Sequence, residues 1–226
     1  MSSSTFSFEG QDRILHSIFR DQTEPGFYVD VGCNHPIIEN NTYSLYCAGW
    51  AGICIDMNGA FKDDFNNLRP RDRFVESAIS VNHQPITAFI NTDSRLSTCV
   101  PEVARHYSAH PLHSQHTVLQ KSVPTNTLAQ ICNGSLPATW HVLAVDVEGY
   151  ESQVLSTLHL CDVKPICIIV EIKNLSLLKG LRDHPIVSSL HQLGYYPIAK
   201  TPLDTFFVNI SQLPQWIPLS LVHGKS

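Results

Sequence analysis

Neither a Gly-x-Gly-x-x-Gly turn nor a Gly-x-x-x-x-Gly-Lys-Ser/Thr loop occurs in the 226 residues of this chain. Such loops cradle the phosphates of dinucleotides and nucleoside triphosphates, so their absence disfavours both ligands. No apolar run is long enough to cross a bilayer. The opening Met1-Ser2-Ser3-Ser4-Thr5-Phe6-Ser7 has neither the basic nor the apolar region of a secretory signal, and the expected location is the cytoplasm. Basic residues are scarce. Fifteen Lys and Arg stand against 20 Asp and Glu, giving a formal charge of -5, which argues against the basic face that nucleic acid requires. The seven cysteines are odd in number and include no Cys-x-x-Cys pair. Cys54 and Cys167 sit inside apolar runs, where a reduced thiol packs as a small hydrophobe, so no disulfide framework is expected. What remains is 43% hydrophobic and 15% charged, the composition of one ordered globular domain spanning residues 1–226.

Within it, strand and helix patterns alternate. Apolar positions 14, 15, 18 and 19 recur at helical spacing, so residues 1–24 read as an N-terminal helical cover. Buried strands are expected at 27–31, 51–56, 73–79, 141–146 and 166–171, with a further strand at 85–90 in a hairpin. Helices are expected over 42–48, 60–68, 127–131, 151–158 and 186–193, and segments 195–199 and 205–208 close an antiparallel edge. Residues 91–120 show no period and read as an irregular insertion near the cleft. The fold class is α/β, mostly parallel, with helices on both faces.

Two of these strands end in acids and glycine: Val29-Asp30-Val31-Gly32-Cys33-Asn34-His35 and Val145-Asp146-Val147-Glu148-Gly149. At the carboxyl edge of an open sheet, such a turn brings backbone close to a nucleotide-like ligand. Asp56 ends the next strand, 26 positions after Asp30, where the acid that binds a ribose diol belongs. The competing reading is that both acids merely cap strand-to-helix turns. A ribose-bearing ligand without a triphosphate fits best.

These segments resemble the FkbM-type family of S-adenosylmethionine-dependent methyltransferases. The likeness also rests on Asn41-Thr42-Tyr43, on Gly49-Trp50-Ala51-Gly52-Ile53-Cys54-Ile55-Asp56, on Glu76-Ser77-Ala78-Ile79-Ser80, and on Ile168-Ile169-Val170-Glu171. The resemblance implies a Rossmann-like class I methyltransferase with a seven-stranded sheet. It implies that Asp30, Gly32, Cys33, Asn34, Thr42, Asp56, Met57, Ser77, Ala78 and Asp146 hold S-adenosylmethionine, with Asp56 on the ribose and Met57 on the adenine. It also implies transfer to a hydroxyl, either of a sugar in a polysaccharide or glycoconjugate or of a secondary metabolite. Pro36 stands where the family loop more often has glycine, which stiffens the turn and removes an N–H donor.

Moving a methyl group onto a hydroxyl requires in-line placement and removal of the hydroxyl proton. Asp146 and Glu148, two apart in a strand-like stretch, should share one side, and Glu171 should end the adjacent strand. Asp146, Glu148, Glu171 and Lys173 are therefore the candidate catalytic set. Asp146 and Glu171 are candidate ligands for a divalent cation, magnesium or manganese. His106, His110, His113 and His116 are spaced for one helix face, but Pro111 breaks that helix, and a polar loop is the plainer reading than zinc. Tyr43, Trp50 and Tyr150 are candidates to stack on a sugar, against the commoner reading of core packing.

Two other classes stay open: a non-catalytic cofactor-binding protein, and a nucleotide-sugar-modifying enzyme, which should show a glycine-rich turn and a Tyr-x-x-x-Lys pair on a helix. The expected partner is a small-molecule or glycan acceptor, with homodimerisation left open.

Overall fold

The computed structural model describes residues 5–113, 115–173, 175 and 183–212. Helix α1 (Gln11–Ile18) precedes β1 (Phe27–Val31), which Pro25-Gly26 launches by stopping the preceding chain. Helix α2 (Tyr43–Cys47), β2 (Ala51–Asp56), α3 (Lys62–Leu68) and β3 (Arg73–Glu76) then complete two parallel crossovers, with β1 against β2 and β2 against β3.

The expected strand over 73–79 is divided. It breaks at Ser77, and β4 (Ala78–Ile79) leaves the sheet to pair elsewhere. Strand β5 (Ile86–Asn91) forms a hairpin, but its partner lies beyond the insertion. Residues 91–120 are not wholly irregular, because helix α4 (Pro101–Ala109) starts with Pro101 at its first position and ends before Pro111. Strand β6 (Val118–Val123) returns antiparallel to β5, and β7 (Thr125–Asn126) pairs with β4. No single-strand period betrays this arrangement, because β6 is exposed along most of its length.

Helix α5 (Leu128–Cys132) is opened by a capping box in which Thr127 and Gln130 satisfy each other's backbone N–H. Strand β8 (Trp140–Val145), α6 (Glu151–Ser156), β9 (Pro165–Glu171), α7 (Pro185–Gln192), β10 (Tyr195–Lys200) and β11 (Asp204–Asn209) finish the fold. The main sheet has seven strands in the order β10-β11-β9-β8-β1-β2-β3, with β11 antiparallel to both its neighbours.

Alternation along the central strands feeds two cores. Leu143 and Val145 of β8 pack with Leu128, Val154, Leu155, Val187 and Leu190, so α5, α6 and α7 cover one face. Val142 and Ala144 pack with Leu15, Ile18, Leu45 and Phe65, so α1, α2 and α3 cover the other. The chain runs outward from β1 through β2 to β3, then returns to place β8 on the other side of β1. That reversal opens a crevice at the carboxyl ends of β1 and β8, where doubly wound sheets hold ligands. Among the described residues no helix is long and apolar enough to cross a membrane.

Candidate active site

A cavity of about 360 Å³ occupies that crevice. Asp30, Gly32, Cys33, Asn34, Asp56, Met57, Ser77, Ala78, Asp146, Glu148 and Glu171 all border it. Thr42 and Lys173 do not.

Gly32 sets the floor. Its φ is 80°, and a Cβ there would stand 1.7 Å from the carbonyl oxygen of Asp146. The backbone N–H of Gly32 donates to Ile55 at 2.8 Å and that of Asp146 donates to Val31 at 2.9 Å, so the three strand ends are laced together. Asn34 follows in the left-handed region, at φ 48°, where asparagine is tolerated. Its N–H donates to Asp56 Oδ2 at 2.9 Å while Asn58 N–H donates to Oδ1 at 2.7 Å. Burial nonetheless pushes the Asp56 carboxyl up to about 6. The Oδ1 of Asn34 is buried and has no partner among the described residues. His35 turns back on its own loop, with Nδ1 accepting from the N–H groups of Ile37 and Ile38.

Asp30 is buried, and Thr42 stands behind it rather than in the cavity. The Thr42 hydroxyl donates to Asp30 at 2.7 Å and is itself fully buried, so its role is to aim the carboxylate. Behind Thr42 lies Arg69, also fully buried. It donates to Asp72 at 2.6 Å, to the carbonyl of Pro36 at 3.1 Å, and to Asn40, Tyr28 and Thr42 at 3.0, 2.9 and 3.0 Å. One guanidinium thus ties β1, the loop over 36–42 and the approach to β3.

On the other side of Gly32, Asp146, Glu148 and Glu171 bring carboxylate oxygens within 4.8 Å of one another. Strand alternation is not the reason. Strand β8 ends at Val145, and Glu148 joins the group through a turn in which it takes φ 54°. Tyr107, delivered by α4, donates its hydroxyl to Glu148. Lys173 bonds the same carboxylate, reaches Tyr107 Oη at 2.8 Å and stands 3.3 Å from Glu171. Thr98 donates to the Glu148 carbonyl at 2.7 Å, fastening the insertion to the site. Burial, then the charge of Glu171, pushes Asp146 well above the usual carboxylate range; burial, then Glu148, pushes Glu171 up to about 8. Burial alone would lower Lys173, but the neighbouring carboxylates more than offset it and hold the ammonium charged.

Asp204 is a fourth acid. It lies opposite Glu171 in the β11–β9 ladder and borders the same cavity. Arg69, Tyr107 and Asp204 carry no signal in the sequence. Tyr107 and Asp204 meet partners far along the chain, and Arg69, though paired with Asp72 three positions on, reaches Tyr28, Asn40 and Thr42 from a distant turn.

Of the stacking candidates, Tyr150 borders the cavity, whereas Trp50 is core, packed edge-on to Phe19 and His141. The four histidines form a row, with ring centroids 6.3, 5.2 and 5.3 Å apart in sequence order, and His113 reaches the cavity. Among the described residues only Asp146, Glu148 and Glu171 make a trio with ligand atoms close enough to share an ion.

A family model described as "Methyltransferase FkbM domain" matches residues 30–197, a span that includes Asp30, Asp56, Asp146 and Glu171. The chain belongs to this FkbM methyltransferase family. It is therefore a methyltransferase dependent on S-adenosylmethionine. The crystal structure of a TehB-like SAM-dependent methyltransferase from Corynebacterium glutamicum is similar over 90% of this chain and 89% of that one, at 9% identity and a TM-score of 0.42. No curated protein matches. Phe8, Gln11 and Asp204 border the methyltransferase cavity from outside the matched span.

Proposed function

We propose that this methyltransferase acts on oxygen, and that its acceptor is a hydroxyl of a sugar in a polysaccharide or glycoconjugate. The observation that carries the reading is the trio Asp146, Glu148 and Glu171, two of them with raised proton affinity, beside the Gly32 turn. The residues fit S-adenosylmethionine. Asp56, fixed by two backbone N–H groups, faces the cavity with lone pairs for a ribose diol. Met57, Ala78 and the buried Ile79 offer an apolar slot for a base, and the unpartnered Asn34 Oδ1 offers an acceptor for an ammonium or hydroxyl. Asp30, Gly32 and Cys33 line the side nearest the methionine portion. Bound there, the cofactor supplies an electrophilic methyl group on a sulfonium.

Asp146 takes the hydroxyl proton, and the raised affinity of the pair with Glu171 keeps that proton in the cluster rather than returning it. Tyr107 and Lys173 hold Glu148 still. Lys173 also supplies, at Glu148 and Glu171, the positive charge that magnesium or manganese at Asp146 and Glu171 would supply, which favours a metal-free reaction.

The base must be deprotonated to act. Burial and the neighbouring Glu171 raise the proton affinity of Asp146, so its proton is lost at higher pH than from an ordinary carboxyl and methyl transfer is expected to rise with pH through the neutral range, a profile that a pH–rate series checks. Asp146→Asn should lower kcat by about 10²- to 10⁴-fold while S-adenosylmethionine affinity stays within about threefold. Equal loss of cofactor binding in that variant would show that Asp146 is a binding residue and not the base. A chelator should leave the rate unchanged; restoration by added manganese would assign the cluster to a metal instead.

A further inference from the structure

Residues 5–12 enter the cavity wall as a fixed segment. Thr5 and Ser7 donate their hydroxyls to Asp12 Oδ1 at 2.6 and 3.0 Å, and Phe6 N–H donates to Oδ2 at 2.9 Å. Asp12 is itself buried. Glu9 accepts from the N–H of Leu203 at 3.0 Å, and Gln11 donates its amide to Asp204 Oδ2 at 2.6 Å. Two groups on this wall are left without partners. Asp204 is 3% exposed, yet its Oδ1 is buried with no hydrogen bond among the described residues. Phe8, on a segment pinned by six hydrogen-bonding groups, is nevertheless 64% exposed and borders the same cavity.

Each is unfavourable in isolation. A buried carboxylate oxygen without a donor costs free energy that a ligand hydroxyl would restore, and a rigid exposed phenyl ring beside a polar cavity is the surface that an apolar ligand face covers. Asp204 stands on β11 beside β9, away from the Asp30–Asp56 side assigned above to the nucleoside, and the segment that carries Phe8 is tied to that edge by the Glu9–Leu203 and Gln11–Asp204 bonds. We propose that Phe8 and Asp204, the latter aimed by Gln11, form the acceptor subsite and fix acceptor specificity. A pyranose fits it: the C–H face of the ring covers Phe8 while a hydroxyl donates to Asp204 Oδ1, turning the neighbouring hydroxyl toward Asp146 and Glu171. This deepens the sugar O-methyltransferase reading and rests on it.

The test uses the full chain, saturated with S-adenosylhomocysteine, and a panel of methyl glycosides of glucose, galactose, mannose and rhamnose, followed by saturation-transfer NMR. At least one glycoside is expected to bind, and Phe8→Ala and Asp204→Asn should each weaken it about tenfold. Phe8→Trp should retain it, and affinity for S-adenosylhomocysteine should be unchanged in all three. Phe8→Ala alters an exposed side chain, so it keeps the test valid if Asp204→Asn folds poorly. Glycoside binding that Phe8→Ala does not change overturns the subsite alone and leaves the sugar-acceptor reading standing, whereas absence of any glycoside binding while S-adenosylhomocysteine binds overturns the sugar-acceptor reading together with the subsite. Failure of S-adenosylhomocysteine to bind the wild-type chain overturns the underlying reading and the subsite with it.

Discussion

Gly32→Ala is expected to abolish S-adenosylmethionine binding and to lower stability by about 3 kcal/mol or more, a fall of roughly 6–12 °C in Tm for a chain of this size. Two causes add. A side chain at φ 80° carries backbone strain of about 1–2 kcal/mol. The new Cβ would also meet the carbonyl oxygen of Asp146 at 1.7 Å, and that atom is backbone at the end of β8, with no rotamer to yield. Relief requires β1 and β8 to part where the nucleoside and the acids must face each other. Gly134→Ala is the control. Gly134 has a similar φ of 77° with nothing within 4 Å of its would-be Cβ, so only the strain is expected. Differential scanning calorimetry and cofactor titration of the two variants measure the difference; equal effects would mean that the close approach at Gly32 is unimportant.

Arg69→Met is expected to cost about 3–5 kcal/mol, because it leaves Asp72 as a buried charge without its partner. Against a typical total of about 5–15 kcal/mol, that is a large fraction of the stability. The consequence reaches the site. Arg69 donates to Thr42, which donates to Asp30, so the loss should weaken cofactor binding even in the molecules that stay folded. The double variant Arg69→Met with Asp72→Leu removes both charges and should recover part of the stability, while Tyr28 and Thr42 keep the cofactor defect in place. Denaturant midpoints separate these outcomes. A single variant as stable as wild type would show that the pair is not holding the loop.

How much of this is legible in the sequence differs by residue. Strands β1, β2, β8 and β9 announce themselves because buried parallel strands are short continuous apolar runs, and each ends at an acid where the sheet meets its ligand edge. Asp30, Asp56, Asp146 and Glu171 are read from that pattern alone. Glu148 reaches the cluster for a reason alternation does not supply: a left-handed turn after β8 swings it back, and Lys173 with Tyr107 secures it. Thr42 belongs to a family motif, yet acts from behind Asp30, a distinction that only burial reveals. Tyr107 and Asp204 are invisible locally because their value lies in contacts made across 41 and 193 positions, and the Arg69–Asp72 pair looks like an ordinary surface pair because what buries it, Tyr28 among others, lies 41 positions from Arg69. The segment over 91–120 defeats periodicity because β5 and β6 meet around the insertion rather than through a tight turn.

The most direct measurement is a calorimetric titration of S-adenosylhomocysteine into the wild-type chain and into Asp56→Ala, with NADH and a nucleotide sugar as comparison ligands. The account predicts micromolar binding of S-adenosylhomocysteine alone, weakened about 10- to 100-fold in Asp56→Ala through loss of hydrogen bonds to a carboxylate. Binding of either comparison ligand in its place, or an Asp56→Ala variant that binds as tightly as wild type, would contradict it.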